Sequence, residues 1–268
     1  MANMYDIVIV GGGPGGYSAA LYAARAGLHV VVLEKQRIGG QAVHSENIEN
    51  YPGDVDSLAI GSQNTALASQ SVALGYKAVA GALGADNKIA GLSSVSIGSY
   101  TKTKGSYSVA IGYNTTASTI GDIALGNTAT ASGGGTVALG TQAQTNGLYA
   151  VAIGTNSAAN SPSSVALGTN STASVSGSVA IGAGSVANRA AGVAGYDPST
   201  KTTSTKVDDS TWTSTAAAVA VGDADEGVTR QITGVAAGSE DTDAVNVAQL
   251  RAATLTAINT SANTTTVT

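Results

Sequence analysis

Ser57-Leu58-Ala59-Ile60-Gly61 returns as Ser71-Val72-Ala73-Leu74-Gly75. It returns seven more times as SVSIG, SVAIG, DIALG, TVALG, AVAIG, SVALG and SVAIG, closing at Gly98, Gly112, Gly126, Gly140, Gly154, Gly168 and Gly182. Seven of the eight steps between closing glycines equal 14, and the step from Gly75 to Gly98 is 23. A tenth copy, AVAVG, closes at Gly222, a step of 40 from Gly182. A period held this faithfully marks stacked repeats, which bury a continuous core only when several units pile up.

Each phrase sets an aliphatic residue three and one positions before the glycine, with a small residue between, as in Val109-Ala110-Ile111 and Val179-Ala180-Ile181. That is the two-residue period of a β-strand rich in β-branched side chains. Small residues recur three and five positions after the glycine: Ala78 and Ala80, Ala129 and Ala131, Ser157 and Ala159, Ser171 and Ala173. They predict a second short strand, with the glycine as a corner where positive φ or close backbone approach excludes a side chain. Two strands and two turns in each repeat make one coil of a narrow parallel β-solenoid, with coils ~4.8 Å apart. The Val-Ala-Ile strand is apolar on both faces, so one face fills the roll and the other meets a further chain. Which face does which is open at this level. The rival reading, a disordered Gly/Ala/Ser/Thr linker, does not explain the fixed register.

The chain has 268 residues, enough for one or two domains, with 35 glycines, 11% charged and 4% aromatic residues. It has no cysteine, which excludes disulfides, thiolate metal sites and thiol redox chemistry. A net charge of −5 argues against a nucleic-acid partner. No apolar run approaches the ~18 residues of a membrane helix. Residues 1–20 lack the basic and apolar regions of a secretory signal, so no signal peptide, anchor or membrane contact is expected of this chain. No catalytic constellation such as G-x-S-x-G or H-E-x-x-H occurs, so an enzyme is not expected. His29 and His44 have no ligand cluster around them. Asp223-Ala224-Asp225-Glu226-Gly227 reads as a solvated acidic turn rather than a calcium loop. No metal is expected.

Residues 1–53 have another character. Tyr5 to Val10 reads as a buried strand, and Gly11, Gly13 and Gly16 satisfy G-x-G-x-x-G. Tyr17 to Ala26 reads as a helix ended by Gly27, His29 to Leu33 as a second strand, and Glu34 follows. This is a dinucleotide-binding βαβ unit, with glycines for a pyrophosphate at the helix N-terminus and Glu34 for ribose hydroxyls. Together with Gly39-Gly40-Gln41 and Glu49-Asn50-Tyr51-Pro52-Gly53, the segment resembles the start of a thioredoxin reductase-type flavoprotein. That resemblance implies FAD at Gly11, Gly13, Gly16 and Glu34. It stops at the Gly53/Asp54 junction, and one βαβ unit lacks the other half of the binding crevice, so the expectation is a vestigial site and no bound cofactor.

Beyond the repeats, the long interval before Gly222 reads as an excursion over 183–217, with a turn at Tyr196-Asp197-Pro198-Ser199 and Trp212 as its packing anchor. Around Ala85-Asp86-Asn87-Lys88 a loop leaves one coil. Tyr100, Tyr107, Tyr113 and Tyr149 fall at positions that need not be core. Thr229 to Gly238 runs into Asp241 to Leu250, where Asp241 or Thr242 can cap a helix. Val247, Leu250, Thr254, Ala257 and Ile258 then give a three-four apolar spacing. From Thr260 the tail has no clear pattern.

The repeats and this last stretch resemble the head and neck of trimeric autotransporter adhesins, the YadA-like group, over residues 57–258. That resemblance implies a mainly β fold: a left-handed parallel β-roll, a neck and a short coiled-coil helix, preceded here by the Rossmann-like fragment. The division expected is 1–53, 54–222, 223–250 and 251–268. It also implies a homotrimer on the bacterial cell surface or outer membrane, binding an extracellular-matrix protein or a host cell-surface receptor. Two other readings stand beside it: a flavin-dependent pyridine nucleotide-disulfide oxidoreductase fragment, and a non-natural or misassembled fusion of the two.

Overall fold

A computed structural model describes residues 5–34, 57–83 and 89–253. Its centre is a β-roll of two parallel sheets. The first has ten strands: β3 (Leu58–Ser62), β5 (Val72–Tyr76), β9 (Val95–Ile97), β11 (Val109–Tyr113), β13 (Ile123–Asn127), β15 (Val137–Leu139), β17 (Val151–Ile153), β19 (Val165–Leu167), β21 (Val179–Ile181) and β25 (Val219–Ala220). The second has nine two-residue strands: β4 (Thr65–Ala66), β6 (Val79–Ala80), β10 (Lys102–Thr103), β12 (Thr116–Ala117), β14 (Thr130–Ala131), β16 (Gln144–Thr145), β18 (Ala158–Ala159), β20 (Thr172–Ala173) and β22 (Val186–Ala187). Register is kept residue for residue: Val109 pairs with Ile123, Ala110 with Ala124, Gly112 with Gly126.

The interior is lined by the small residues. Ala110, Ala124, Ala138, Ala152, Ala166 and Ala180 of the first sheet are fully buried, and so are Ala117, Ala131, Ala159 and Ala173 of the second. Ser108, Ser164 and Ser178, four positions before their glycines, turn inward and donate to the carbonyls of Gly105, Ser161 and Val175. The face left open by the sequence is thereby fixed. Alanine, serine and threonine fill the roll, and the valines, isoleucines and leucines point out.

The repeat glycine is needed for space. At Gly112, φ is +142°, and a Cβ there would run into the carbonyl oxygen of Gly126 one coil on. Two further corners lie elsewhere, two positions after and five before the glycine, and both take the left-handed conformation. The first holds Gln63, Lys77, Tyr100, Asn114, Thr128, Gln142, Asn156 and Asn170; the second holds Gln70, Ser93, Tyr107, Tyr149 and Ser163 with Gly121, Gly135 and Gly177.

Where DIALG replaces serine by aspartate, Asp122 is fully buried. It accepts hydrogen bonds from the amides of Thr119 (2.8 Å), Gly134 (3.0 Å) and Thr136 (3.2 Å), and from the Thr119 and Thr136 hydroxyls. A buried carboxylate is tolerated only with such a set of donors. Among the described residues, no buried side-chain polar atom lacks a partner.

Both insertions leave the ladders unbroken. The first starts and ends as a hairpin, β7 (Ala82–Leu83) antiparallel to β8 (Ile89–Ala90), while β5 pairs directly with β9. Residues 84–88, with most of the expected loop, lie outside the described residues. In the second, β22 still belongs to the roll, so the departure comes after Ala187 and not at 183. There β23 (Tyr196–Asp197) pairs with β24 (Thr202–Thr203), and the Gly195 amide donates to the Trp212 carbonyl. Lys206 Nζ sits 4.8 Å from the Trp212 ring centroid, and β25 rejoins β21.

Gly112→Ala is expected to lower stability by at least ~1–3 kcal/mol, from a conformation nearly closed to other residues plus the clash with Gly126. Gly184→Ala should cost markedly less, since φ is +67° and a Cβ meets nothing within 4 Å. Urea midpoints at matched protein concentration test the pair, and equal losses would count against a spatial role for the glycine column.

Candidate functional site

Three regions carry candidate function. The first is the outer face of the ten-stranded sheet. Its strands place two aliphatic residues each on that face, from Leu58 and Ile60 through Val109 and Ile111 to Val179 and Ile181. In the isolated chain, Ile60 is 49% exposed, Leu139 41% and Ile181 44%. The result is a flat apolar stripe two side chains wide and ~45 Å long at the usual strand spacing. Scattered exposed aliphatics are ordinary, but a continuous stripe marks an interaction surface. Each Val or Ile fully buried is worth ~1.5–3 kcal/mol, against ~0.8 for a methyl-sized group such as the interior alanines supply. Most of the apolar driving force available to a coil therefore sits on its outside.

The second region is the end of the roll and the neck beyond it. Arg230 closes the last coil. Its guanidinium donates to Ser185 Oγ (3.1 Å) and to the carbonyls of Ala183 (2.5 Å) and Val221, lying over Gly182. With Val186, Ala218 and Val228 it lines a cavity of about 400 Å³. The helix that starts at residue 247 is capped by Asn246, not by Asp241 or Thr242. Asn246 Oδ1 accepts from the Gln249 amide (3.0 Å), and Gln249 Oε1 accepts from the Asn246 amide (3.2 Å). This reciprocal pair is a capping box, legible as Asn-x-x-Gln. Gln249 also bonds both backbone groups of Gly238, and Asn246 Nδ2 reaches the Val235 carbonyl. Asp243 ties the preceding turn instead, accepting from the amides of Ser239 (2.9 Å) and Glu240 (3.1 Å). Those amides hold its carboxyl below the usual carboxylate range. Val245, Val247 and Leu250 are exposed. Thr254, Ala257 and Ile258 lie outside the described residues.

The third region is the N-terminal unit. β1 (Ile7–Val10) and β2 (Val30–Leu33) pair in parallel around α1 (Pro14–Arg25). The structure brings Gly11, Gly13, Gly16 and Glu34 together. Gly11 has φ +109°, Gly13 is the N-cap of α1 with no side-chain cap, and a Cβ on Gly16 would strike the Gly11 carbonyl. A Cβ on Gly11 or Gly13 would meet nothing within 4 Å, which leaves room for a phosphate at the helix end. Glu34 Oε2 accepts from the Gly12 amide at 2.6 Å, bracing the turn. The turn thus fits a pyrophosphate, but among the described residues the rest of a flavin nucleotide has no wall. Among the described residues the sheet has two strands, Val8 and Val10 are exposed, and α1 buries none of its residues. Residues 35–56, with the Gly39-Gly40-Gln41 and Glu49–Gly53 stretches, lie outside the described residues. Among the described residues no group of three potential ligands could hold a metal, and no helix is long and apolar enough to cross a membrane.

A parallel roll with a capped end and a helix beyond it, behind a nucleotide-type glycine turn, defines a chain of two unrelated parts. The family models and the relatives agree. The family described as pyridine nucleotide-disulphide oxidoreductase matches residues 5–194, and that of the coiled stalk of trimeric autotransporter adhesin matches 231–268. The thioredoxin reductase of Peptoclostridium acidaminophilum is 49% identical over 55 residues, 20% of this chain and 18% of that protein. The autotransporter adhesin BadA of Bartonella henselae is 60% identical over 62 residues. The trimeric autotransporter adhesin AtaA of Acinetobacter sp. (strain Tol 5) is 61% identical over 62 residues. Each of these two matches covers 23% of this chain and 2% of the relative. The chain spans less than a fifth of the length of each of these three relatives. The crystal structure of the collagen-binding domain of the Yersinia adhesin YadA is 26% identical, with a TM-score of 0.46 over 74% of this chain and 82% of that one. The chain belongs to the pyridine nucleotide-disulphide oxidoreductase family by its N-terminal match, and it joins that segment to trimeric autotransporter adhesin sequence. Although the first match runs to residue 194, residues 58–187 within it belong to the roll, so the part of the fold outside the roll that this match covers, among the described residues before it, is β1-α1-β2.

Asp243 gives a pH prediction for the neck. Its folded pKa is depressed, so its contribution is full above the ordinary carboxylate value of ~4 and is lost as pH falls through the lower folded value. Amide exchange at Ser239 and Glu240, corrected for intrinsic rates, is expected to rise only below that range. Asp243→Asn should show the raised rates already at neutral pH.

Proposed function

We propose that the chain is the head and neck of a homotrimeric bacterial surface adhesin, non-enzymatic, attaching cells to extracellular matrix or to a host-cell receptor. The units are 1–53 as a nucleotide-fold fragment, 54–222 as the head, 223–250 as the neck and 251–268 as the start of a stalk. One observation carries the reading: the aliphatic stripe along the whole roll, which a sister copy with the same spacing would match coil for coil. The adhesin and stalk matches favour three copies over two. A stiff trimer repeats each surface feature three times, so avidity replaces a single deep pocket. Sedimentation equilibrium of the full chain should give three chain masses. Ile111→Asp with Leu125→Asp, which puts carboxylates in the stripe, should shift the mass to one chain or abolish soluble protein. A wild-type monomer in dilute buffer would sink the proposal.

The small N-terminal unit, with its two-stranded sheet and exposed Val8 and Val10, favours one further statement: the oxidoreductase segment contributes no flavin chemistry here. The purified chain should show no visible flavin absorbance, and added FAD should leave its unfolding midpoint unchanged. A co-purifying flavin lost on Gly13→Val would restore the oxidoreductase reading. Sequencing the source locus across Gly53/Asp54 would show whether the two segments share one gene.

A further inference from the structure

Charge on the roll is distributed unevenly. Between residues 57 and 187 the described cations are Lys77, Lys102 and Lys104, all exposed, and the described acid is Asp122, fully buried. In a chain of net charge −5, the exposed charge among the described residues of the roll is cationic. The three lysines lie in two adjacent coils, and tyrosines stand beside Lys77. Tyr76 and Tyr100 meet edge to face with centroids 5.4 Å apart, and Tyr100 and Tyr113 at 5.9 Å. Lys77 Nζ lies 5.2 Å from the Tyr76 ring centroid and 5.6 Å from that of Tyr100, within cation–π reach of both. Lys102 stands on the second sheet between Val79 and Thr116, and Lys104 follows two residues on. That sheet is opposite the aliphatic stripe, so covering the stripe leaves these two lysines outside.

Tyr100 is the aromatic residue among those described at its corner. It sits at φ +60°, where Gln63, Lys77, Asn114, Thr128, Gln142, Asn156 and Asn170 stand in other coils. Asparagine tolerates that conformation, whereas a bulky aromatic there is an outlier held by its surroundings. The fold does not require tyrosine at this corner.

We propose that Tyr76, Tyr100, Tyr113, Lys77, Lys102 and Lys104 form a docking surface for a sulfated polysaccharide. This rests on the adhesin reading and names the ligand class of that head. Sulfates pair with ammonium groups, and sugar rings lie against aromatic side chains that offer an apolar body and a polar tip. Three coils span ~10 Å at the strand spacing, the length of about two sugar rings along a ridged surface. An acidic polypeptide is the weaker match, because both sheets run unbroken through these coils and offer no free strand edge for it to pair with.

The test is heparin binding by the full-length chain, measured by surface plasmon resonance at two salt concentrations, with polyglutamate and neutral dextran as competitors. Expected are binding that weakens steeply with salt, no competition by dextran and little by polyglutamate. The triple variant Lys77→Ala/Lys102→Ala/Lys104→Ala should bind at least tenfold more weakly. Tyr100→Asn should bind several-fold more weakly while keeping the wild-type unfolding midpoint or raising it, which a purely structural tyrosine would not do. Both variants should retain the wild-type mass in sedimentation. Unchanged affinity in the triple variant, equal competition by polyglutamate, or no heparin binding at low salt would each overturn the assignment. Attachment to matrix or host cells without heparin binding would remove this surface alone and leave the adhesin reading standing.

Discussion

The interior of each coil has room for alanine, serine and threonine side chains, and the remainder of the architecture follows from that limit. The glycine column sets how closely the coils stack: the carbonyl of one coil occupies the space that a side chain on the previous coil would need. Fully buried positions of the roll hold alanine, serine and threonine, with Asp122 as the exception. Asp122 fits because the two threonines and Gly134 supply donors in place of the missing serine contact. A core of this kind is defined by ladder hydrogen bonds and shape more than by buried apolar area. It holds register because a slip of one residue would drive isoleucine into a space made for alanine.

Excluding the bulky side chains from the core puts them on the outer face of the ten-stranded sheet. There they are half-buried between neighbouring coils, so the further energy they can contribute depends on association. In the proposed trimer folding and assembly are linked, and apparent stability should vary with protein concentration. The neck continues the same logic. Ile232, Val245 and Val247 are exposed around a helix whose first turn is fixed by Asn246 and Gln249. A short helix with exposed apolar positions is marginal alone and gains from neighbours.

Much of this was legible in the residues. The regular step between glycines gave the coil, its alternation gave the first strand, and the small residues after each glycine gave the second. The inward face was not, because Val-Ala-Ile is apolar on both sides and periodicity alone does not report volume. The signal was present in residue size: every position that proved buried holds a small residue in nearly all copies. The left-handed corners were hidden for another reason. Gln63, Lys77, Tyr100 and Thr128 do not advertise positive φ, and stacking imposes it on whatever residue stands there. At the N-terminus the glycine fingerprint found the turn correctly. What sequence did not reveal was that Glu34 would bond the Gly12 amide, since that contact depends on how the end of β2 sits against the turn.

The two insertions show which corner the roll can lend to other uses. One leaves after β6 and returns at Ser94; the other leaves after β22 and returns at Ala218. Both therefore depart six positions past a closing glycine and re-enter four before the next. At that corner the chain has finished its inward residues on the second sheet and has not begun those of the first. Extra length there removes no ladder partner, as the direct pairings of β5 with β9 and of β21 with β25 demonstrate. The opposite corner is different, because the glycine and the left-handed residue two positions on are both packed against the next coil. An insertion there would separate strands that are joined by a very short link. Variation in length is thus confined to one edge of the roll, and the aliphatic stripe stays continuous from Leu58 to Val219 for a partner to cover.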